Sequence, residues 1–275
     1  NHLKKDAFTL EDIKAIKSDD SGVKQAKAMF TQILSNTTKE KFDAEIEEFK
    51  DYVYGQINYN LNVEYDGRSI VGDNPNDLKE TKYGNNNVFG PDPKAAKHGT
   101  HVAGIVAQVR GNNKGGDGVT NNAEILVVRA VPDGDEYDKD IALGIRYAVD
   151  NGAKVINGSF GKYFSQNKEW VIDAIKYAES KDVLVVIAAG NESYDLDITN
   201  KYPNDTYDGS PEFANNVLII GALSPSYGTK MVADFSNYGK NNVDIYAPGD
   251  EIYATTPLNT YEYLQGTSMA SPNVA

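Results

Sequence analysis

Two of the three histidines in this 275-residue chain stand close together, at positions 98 and 101 of the stretch AKHGTHVAGIVA. Imidazole titrates near neutral pH, so this pair could be a metal site, include a general base, or simply begin a helix. Zinc-binding helices place histidines four apart with a glutamate between them, whereas Gly99 and Thr100 separate His98 from His101. The spacing disfavours a metal site and leaves the other two interpretations open.

A candidate nucleophile lies near the carboxy-terminal end, in GTSMASPNVA. Ser268 is flanked there by glycine and small residues at the predicted start of a helix. A serine hydroxyl needs an adjacent base, and His98 and His101 are the well-placed groups that titrate near neutral pH. Asn191 follows the apolar run of VIAAGNES and is a side-chain donor at a strand end, although a turn residue is the simpler interpretation of Asn191 alone.

Apolar runs separated by helical periods must position these residues. Strands are predicted at residues 125–129, 155–157, 183–190, 217–223 and 243–249, and helices at 140–149 and 170–178. Strands that are apolar throughout are typical of a parallel sheet covered on both faces. The predicted fold class is therefore α/β, a doubly wound and mainly parallel sheet with helices on both faces, which binds ligands beyond the carboxyl ends of its strands.

The first part of the chain follows a different pattern. Phe42, Ile46, Phe49 and Val53 recur at helical spacing, so a helical insert is predicted over residues 1 to about 55. Asn, Asp, Gly and Pro are frequent from residue 57 to 97, which predicts turns and loops rather than long regular elements.

Four motifs, HGTHVAGIVA, VINGSFG, VIAAGNES and GTSMASPNVA, resemble in this order the His block, the substrate-binding strand, the oxyanion Asn block and the Ser block of the subtilase (subtilisin-like) serine endopeptidases. The resemblance covers residues 98–275 and implies a subtilisin-like fold. It implies a core peptidase domain over 98–275, cut short at its carboxy-terminal end. Residues 1–97 would then be an enlarged form of the segment that joins the catalytic Asp to the His block.

The resemblance also implies residue roles. His98 would be the general base and Ser268 the nucleophile of an acyl-enzyme, while the Asn191 amide and the Ser268 N–H would stabilise the oxyanion. Main-chain groups of Ser159, Phe160 and Gly161 would pair with the substrate. Residues 159–161 and 188–191, Gly190 among them, would line the first side-chain pocket, which predicts a preference for large apolar side chains. Glu192 at the rim of this pocket would add tolerance for basic ones.

The acid that orients the histidine is not evident in the sequence. Asp66 and Asp73 precede His98, but Asn62 and Glu64 interrupt the apolar pattern before Asp66, and Asp73 leads into a turn. We therefore expect that the chain is a fragment that begins after the catalytic Asp motif. The alternative functions are a subtilase-fold binding domain that has lost its acid and a parallel-sheet module without enzymatic activity.

Composition excludes several classes of protein. A formal net charge of −13 disfavours nucleic acid as a partner, and the longest apolar run, residues 183–189, is too short to span a membrane. Without cysteine the chain has no thiolate metal sites or disulfides. No cofactor is expected. The resemblance allows a structural calcium ion whose ligands the sequence does not identify; the acidic run at residues 133–140 lacks the glycine placement of an EF-hand loop and is predicted to be a solvated loop.

The remaining expectations concern substrates and location. Protein or peptide substrates follow from the resemblance, whereas the sequence does not indicate an oligomeric state. A glycan at the Asn191 sequon would occupy the predicted oxyanion site. Together with the acidic, cysteine-free composition, this favours a secreted or otherwise exported bacterial protein.

Overall fold

The structure is a computed structural model that describes residues 8–132, 136–206 and 210–275. The chain divides into two compact units, Asn1–Tyr65 and Asp66–Ala275, here called the helical unit and the sheet unit. These two units are defined by how compactly their residues pack. The predicted domain boundary between residues 97 and 98 was drawn from the family motifs instead, and it stays a prediction.

The helical unit confirms that the insert is helical, while residues 1–7 of the predicted insert lie outside the described residues. Ile46 and Phe49, on the apolar face predicted from the sequence, remain exposed in α3. Phe30 packs edge-on against both Phe8 and Phe42. The helices are α1 (Leu10–Ala15), α2 (Ser21–Asn36) and α3 (Lys39–Gly55), followed by a π-helical turn (Gln56–Asn60).

The sheet unit contains every predicted site residue. As expected, its first segment holds only short elements, α4 (Arg68–Val71) and a 3-10 turn (Pro93–Ala96). The α-helices and strands that follow are, in chain order, α5 (Lys97–Ala107), α6 (Asp138–Asp150), β1 (Val155–Gly158), α7 (Lys168–Ser180), β2 (Leu184–Ala188), β3 (Val217–Leu223), β4 (Ile245–Pro248), β5 (Ile252–Thr256), β6 (Thr260–Leu264) and α8 (Thr267–Val274).

Strands β1 to β4 form a four-stranded parallel sheet in sequential order, and β5 and β6 form a separate antiparallel hairpin. Successive strand residues face opposite sides. Val185 and Ile187 of β2 pack with α6 and α7 on one side, whereas Val186 packs with Ala270 of α8 on the other. Both faces are therefore covered by helices, and the predicted α/β class is confirmed.

The strand predicted at residues 125–129 is wrong. No strand is assigned to this segment, and Ile125, Leu126, Val127 and Val128 are exposed. The segment has no ladder partner within the described part of the sheet, which ends at β1. A run of β-branched and apolar residues forms a strand only when a neighbouring strand accepts its backbone hydrogen bonds.

The acidic run at residues 133–140 also departs from its prediction as a solvated loop. Residues 133–135 lie outside the described residues, but Asp138 and Asp140 belong to α6. The Asp138 carboxylate is buried and pairs with Lys162 at 2.8 Å, and Asp140 pairs with Arg68 at 2.5 Å. These two carboxylates hold neighbouring segments to the start of α6 instead of facing solvent.

Candidate active site

The predicted nucleophile is the second residue of α8. Gly266 precedes this helix with φ of 144°, a value that L side chains rarely adopt, and so turns the chain sharply from β6 into α8. Thr267 and Met269 on either side are buried, which fixes the first turn of the helix against the sheet unit. Ser268 is therefore held half-buried at a helix N-terminus, where the helix dipole favours developing negative charge.

Two reciprocal hydrogen bonds join this helix start to the predicted substrate-binding segment after β1. Ser268 Oγ donates to the Ser159 carbonyl at 3.2 Å, and Ser159 Oγ donates to the Ser268 carbonyl at 2.8 Å. Asn157 adds a third link, because it accepts from Ser271 Oγ at 2.7 Å and donates to Ser159 Oγ at 2.9 Å. The nucleophile and the substrate-binding segment thus form one rigid assembly.

The Asn191 amide has a fixed orientation. Its Oδ1 atom accepts hydrogen bonds from Thr267 N at 2.8 Å and from Thr267 Oγ1 at 3.0 Å. The Thr267 hydroxyl in turn accepts from Gly190 N at 2.9 Å. Because the oxygen is occupied by two donors, the Nδ2 group of Asn191 is the one left for a ligand.

The two predicted oxyanion donors border the same space. A Cβ atom built at Gly266 would lie 3.5 Å from Asn191 Nδ2 and 3.6 Å from Ser268 N. Both donors therefore border a common point at Gly266, directly before the helix that bears Ser268. Backbone and amide donors that converge in this way are suited to a tetrahedral oxyanion.

His98 is the second residue of α5, and α5 packs against α8, so the predicted base and nucleophile lie on neighbouring helices. The His98 side chain is exposed, yet the protein around it lowers its pKa, chiefly by desolvation and secondarily through His101. Among the described residues, no hydrogen bond joins the His98 ring to Ser268. The contact that general-base catalysis requires would need the Ser268 hydroxyl to turn away from Ser159.

His101 has a different role from His98. It is fully buried, and its Nε2 atom lies 3.1 Å from both the Ile252 and the Glu262 carbonyl oxygens of the β5–β6 hairpin. A histidine held in this way packs α5 onto the hairpin. The Nε2 atom of His101 is therefore already engaged by backbone carbonyl groups.

Neither acidic candidate is placed to orient His98. Asp66 accepts from the backbone N–H groups of Arg68 and Ser69 and begins α4. Asp73 is engaged by the Arg68 guanidinium and by Lys139, each at 2.6 Å. Desolvation alone would raise the pKa of Asp73, but its bonds to Arg68 and Lys139 outweigh that effect and lower it. Both carboxylates therefore have structural partners.

Within the described ranges, no group of three or more His, Asp or Glu side chains could hold a metal ion, and no helix is long and apolar enough to span a bilayer. The sequence-based expectation of no cofactor stays a prediction.

Sequence reasoning missed several residues that build the site. Three of them lie inside the motifs quoted above: Asn157, Thr267 and Ser271. Their position within these motifs could have indicated that they contact the predicted site residues. Asn237 and Lys201 are buried polar residues outside those motifs, and both contact the segment after β2.

Comparisons with known proteins match this arrangement. The sequence profile described as the Subtilase family matches residues 20–275. A thermophilic serine proteinase from Bacillus sp. (strain AK1) is 41% identical over 65% of this chain and 40% of its own length, and thermitase from Thermoactinomyces vulgaris is 39% identical over 65% and 58%. The solved structure of sphericase is 31% identical with a TM-score of 0.56, covering 65% of this chain and 60% of that one.

The matched region spans about half the length of these two curated relatives, from 40% to 58%. The family match itself extends through the sheet unit and into the helical unit. By the extent of that match and by its fold, this chain belongs to the subtilase family.

Proposed function

We propose that the full-length protein is a serine endopeptidase that hydrolyses peptide bonds in protein or peptide substrates through an acyl-enzyme on Ser268. The observation that carries this proposal is that Asn191 Nδ2 and Ser268 N both border one point at Gly266, directly before the helix that bears Ser268. Two preorganised donors beside a serine stabilise an oxyanion, which forms during acyl transfer and not in simple binding.

In the proposed reaction Ser268 Oγ attacks the substrate carbonyl carbon while His98 accepts the hydroxyl proton. The resulting oxyanion receives hydrogen bonds from Asn191 and from the Ser268 N–H. His98 then gives the proton to the leaving amine as the C–N bond breaks, and water hydrolyses the remaining ester by the same sequence of transfers. The loss of one such donor typically lowers kcat by ~10²–10³, a figure whose reference case is a subtilisin.

The substrate main chain would lie along residues 159–161. Ser159, Phe160 and Gly161 follow β1 without a break, and their backbone continues beyond the end of the sheet ladder. An extended peptide that pairs with this segment would bring its carbonyl carbon to the adjacent Ser268 hydroxyl.

The test is active-site labelling of the full-length protein with a fluorophosphonate probe, read by peptide mass spectrometry. We expect labelling at Ser268, loss of labelling and of casein hydrolysis in Ser268→Ala, and retention of both in Ser226→Ala, a matched change at an exposed serine. A protein that is folded by circular dichroism but unlabelled at Ser268 would contradict the proposal.

We also propose that the protein is exported from a bacterial cell. The cysteine-free composition supports this, because no thiol is present that an oxidising compartment could modify. Cell fractionation of the source organism with an antibody to the sheet unit tests it, and retention of the protein in the cytoplasmic fraction would exclude export.

A further inference from the structure

Lys201 is a buried cation beside the proposed active site to which the mechanism above gives no role. Its side chain is only 5% exposed, and its Nζ atom donates to the Ala188 carbonyl at 2.6 Å and to the Phe160 carbonyl at 3.3 Å. A Cβ atom built at Gly161 would lie 2.2 Å from this Nζ. The glycine therefore leaves the space that the ammonium group occupies.

The two carbonyl groups lie directly beyond the end of the β1–β2 ladder. The last residues of β1 and β2 that pair with each other are Gly158 and Ile187, and the chain continues from them into residues 159–161 and 188–191, where Ala188 still pairs with β3. These are the segments proposed above to hold the substrate and line its first side-chain pocket. Lys201 Nζ bridges them, and so lies between the two walls of that pocket.

The charge of Lys201 has no close counterion in the described part of the chain. An ammonium group has three hydrogen-bond donors, and the two carbonyl contacts use only two of them. Glu136 and Glu192 act on Lys201 only at a distance, since neither forms an ion pair with it. A buried cation whose hydrogen bonds are all to neutral groups is unfavourable, and an anion that reached its third donor would be bound strongly.

The two nearby carboxylates make their contacts elsewhere. Glu192 Oε2 accepts from Asn191 N at 2.8 Å and is also contacted by Tyr163 and Asn237. Burial raises the pKa of Glu136, although Lys201 and the Gly161 N–H oppose that rise, and its buried Oε2 atom has no hydrogen-bond partner. Both carboxylates therefore act on the Lys201 charge from a distance, and neither forms an ion pair with it.

We propose that Lys201 makes the first side-chain pocket selective for acidic residues, so that the protein cleaves after glutamate or aspartate. This inference rests on the proposed endopeptidase function. It replaces the predicted preference for large apolar side chains, with tolerance for basic ones, because that prediction did not include Lys201. A charge-assisted hydrogen bond from Lys201 would favour glutamate over glutamine at this position by roughly 10- to 100-fold.

The preference should depend on pH. Burial lowers the pKa of Lys201 to about 8, while Glu136, which precedes α6, and Glu192, which follows β2, act in the opposite direction. The cationic form is present below this pKa and is lost above it. Discrimination between glutamate and glutamine is therefore expected near neutral pH and should decline as the pH rises through about 8.

The experiment measures binding without turnover. Fluorescein-labelled peptides that differ only in ending with Glu, Gln or Phe are titrated by anisotropy into the full-length protein carrying Ser268→Ala. The same titrations are made with Lys201→Met added, and with Lys154→Met added as a control. Lys154 is exposed immediately before β1, at the opposite end of that strand from the site.

We expect the Glu peptide to bind the Ser268→Ala protein, here called the parent, about 10- to 100-fold more tightly than the Gln peptide does. This ratio of affinities should be near one when Lys201→Met is added and unchanged when Lys154→Met is added. A parent that prefers Phe, with a Glu-to-Gln ratio that Lys201→Met does not alter, would overturn the inference. If Lys201→Met does not fold, the pH dependence of the ratio in the parent decides: a ratio that stays constant from pH 7 through pH 9.5 overturns it.

Fluorophosphonate labelling of the protein that retains Ser268 separates this inference from the proposed function. Labelled Ser268 with no preference for glutamate would remove the inference and leave the peptidase. A glutamate preference that Lys201→Met abolishes, without any labelling of Ser268, would remove the peptidase and leave the acidic pocket.

Discussion

Replacing Asn237 with leucine should loosen the segment that carries the proposed oxyanion donor. Asn237 is fully buried, and its side chain accepts from Glu192 N at 3.1 Å and from Tyr194 N at 2.8 Å while donating to the Ala189 carbonyl at 2.8 Å. These three bonds bracket Asn191 on both sides. Asn237→Leu keeps a similar volume but removes all three.

The size of the effect follows from the groups left unpaired. A buried polar group without a partner costs about 1–3 kcal/mol, so three such groups would cost at most about 3–9 kcal/mol. Glu192 and Tyr194 are exposed, so water can replace part of the hydrogen bonding that their backbone N–H groups lose. We therefore expect a loss of about 2–4 kcal/mol of unfolding free energy, a large share of the ~5–15 kcal/mol that stabilises a typical domain.

Trp170 makes this measurable in the sheet unit alone. It is the only tryptophan in the chain, lies in α7 and packs against the main core cluster. Its fluorescence during unfolding in guanidinium chloride therefore reports the sheet unit and not the helical unit. Asn122→Leu is a matched control at an exposed position, where a change within about 0.5 kcal/mol is expected.

The same variant should react more slowly with a fluorophosphonate, because the backbone on either side of Asn191 would lose its bonds to Asn237 and only the bonds from Thr267 would still orient the amide. A loss of unfolding free energy below about 1 kcal/mol for Asn237→Leu would refute the reasoning. That result would show that the segment keeps its conformation without the Asn237 bonds, and that its order comes from elsewhere in the sheet unit.

The remaining predictions concern Thr267 and His98. In the full-length enzyme, Thr267→Val removes the hydroxyl between Gly190 N and Asn191 Oδ1, so kcat should fall about 10- to 100-fold with little change in KM; steady-state kinetics on a peptide amide check this, and a change in KM alone would contradict it. Desolvation, followed by His101, lowers the pKa of His98, so the His98 imidazole of this 275-residue chain should titrate below the ordinary value of about 6.5; an NMR pH titration of the chain checks this, and a midpoint above 6.5 would contradict it.

The core of the fold was predictable because its strands are buried on both faces. Residues 183–190 and 217–223 are apolar almost throughout, and the structure places them in β2 and β3 between two layers of helices. The helix predicted at residues 140–149 was equally clear, since its apolar period ends at Asn151 and Gly152, where α6 stops. In each case local composition and tertiary environment agree.

Residues 125–129 show the limit of this kind of prediction. Their composition resembles that of β2, yet they are exposed and unpaired in the described structure. Strand formation depends on a neighbour whose backbone groups are free, and no local pattern records that neighbour. Local composition therefore supports a helix more reliably than an isolated strand.

The candidate site was only partly predictable, for a related reason. Ser268, His98 and Asn191 belong to motifs whose order carries information, so their chemistry could be proposed from sequence. Asn237 and Lys201 act through hydrogen bonds to backbone groups, and a backbone carbonyl accepts from a lysine whatever its own side chain is. Such contacts do not depend on the side chains of the contacted residues, so the sequence of the contacted segment does not indicate them.

Thr267 links the two halves of the proposed oxyanion site. Its backbone precedes Ser268, whose N–H is one donor, and its N–H and hydroxyl both bind the oxygen of Asn191, whose amide nitrogen is the other. A shift of the first turn of α8 would therefore carry the Asn191 side chain with it and preserve the spacing of the two donors. The strand end and the helix start are coupled through one fully buried residue, which allows a site assembled from distant parts of the chain to stay preorganised for a transition state.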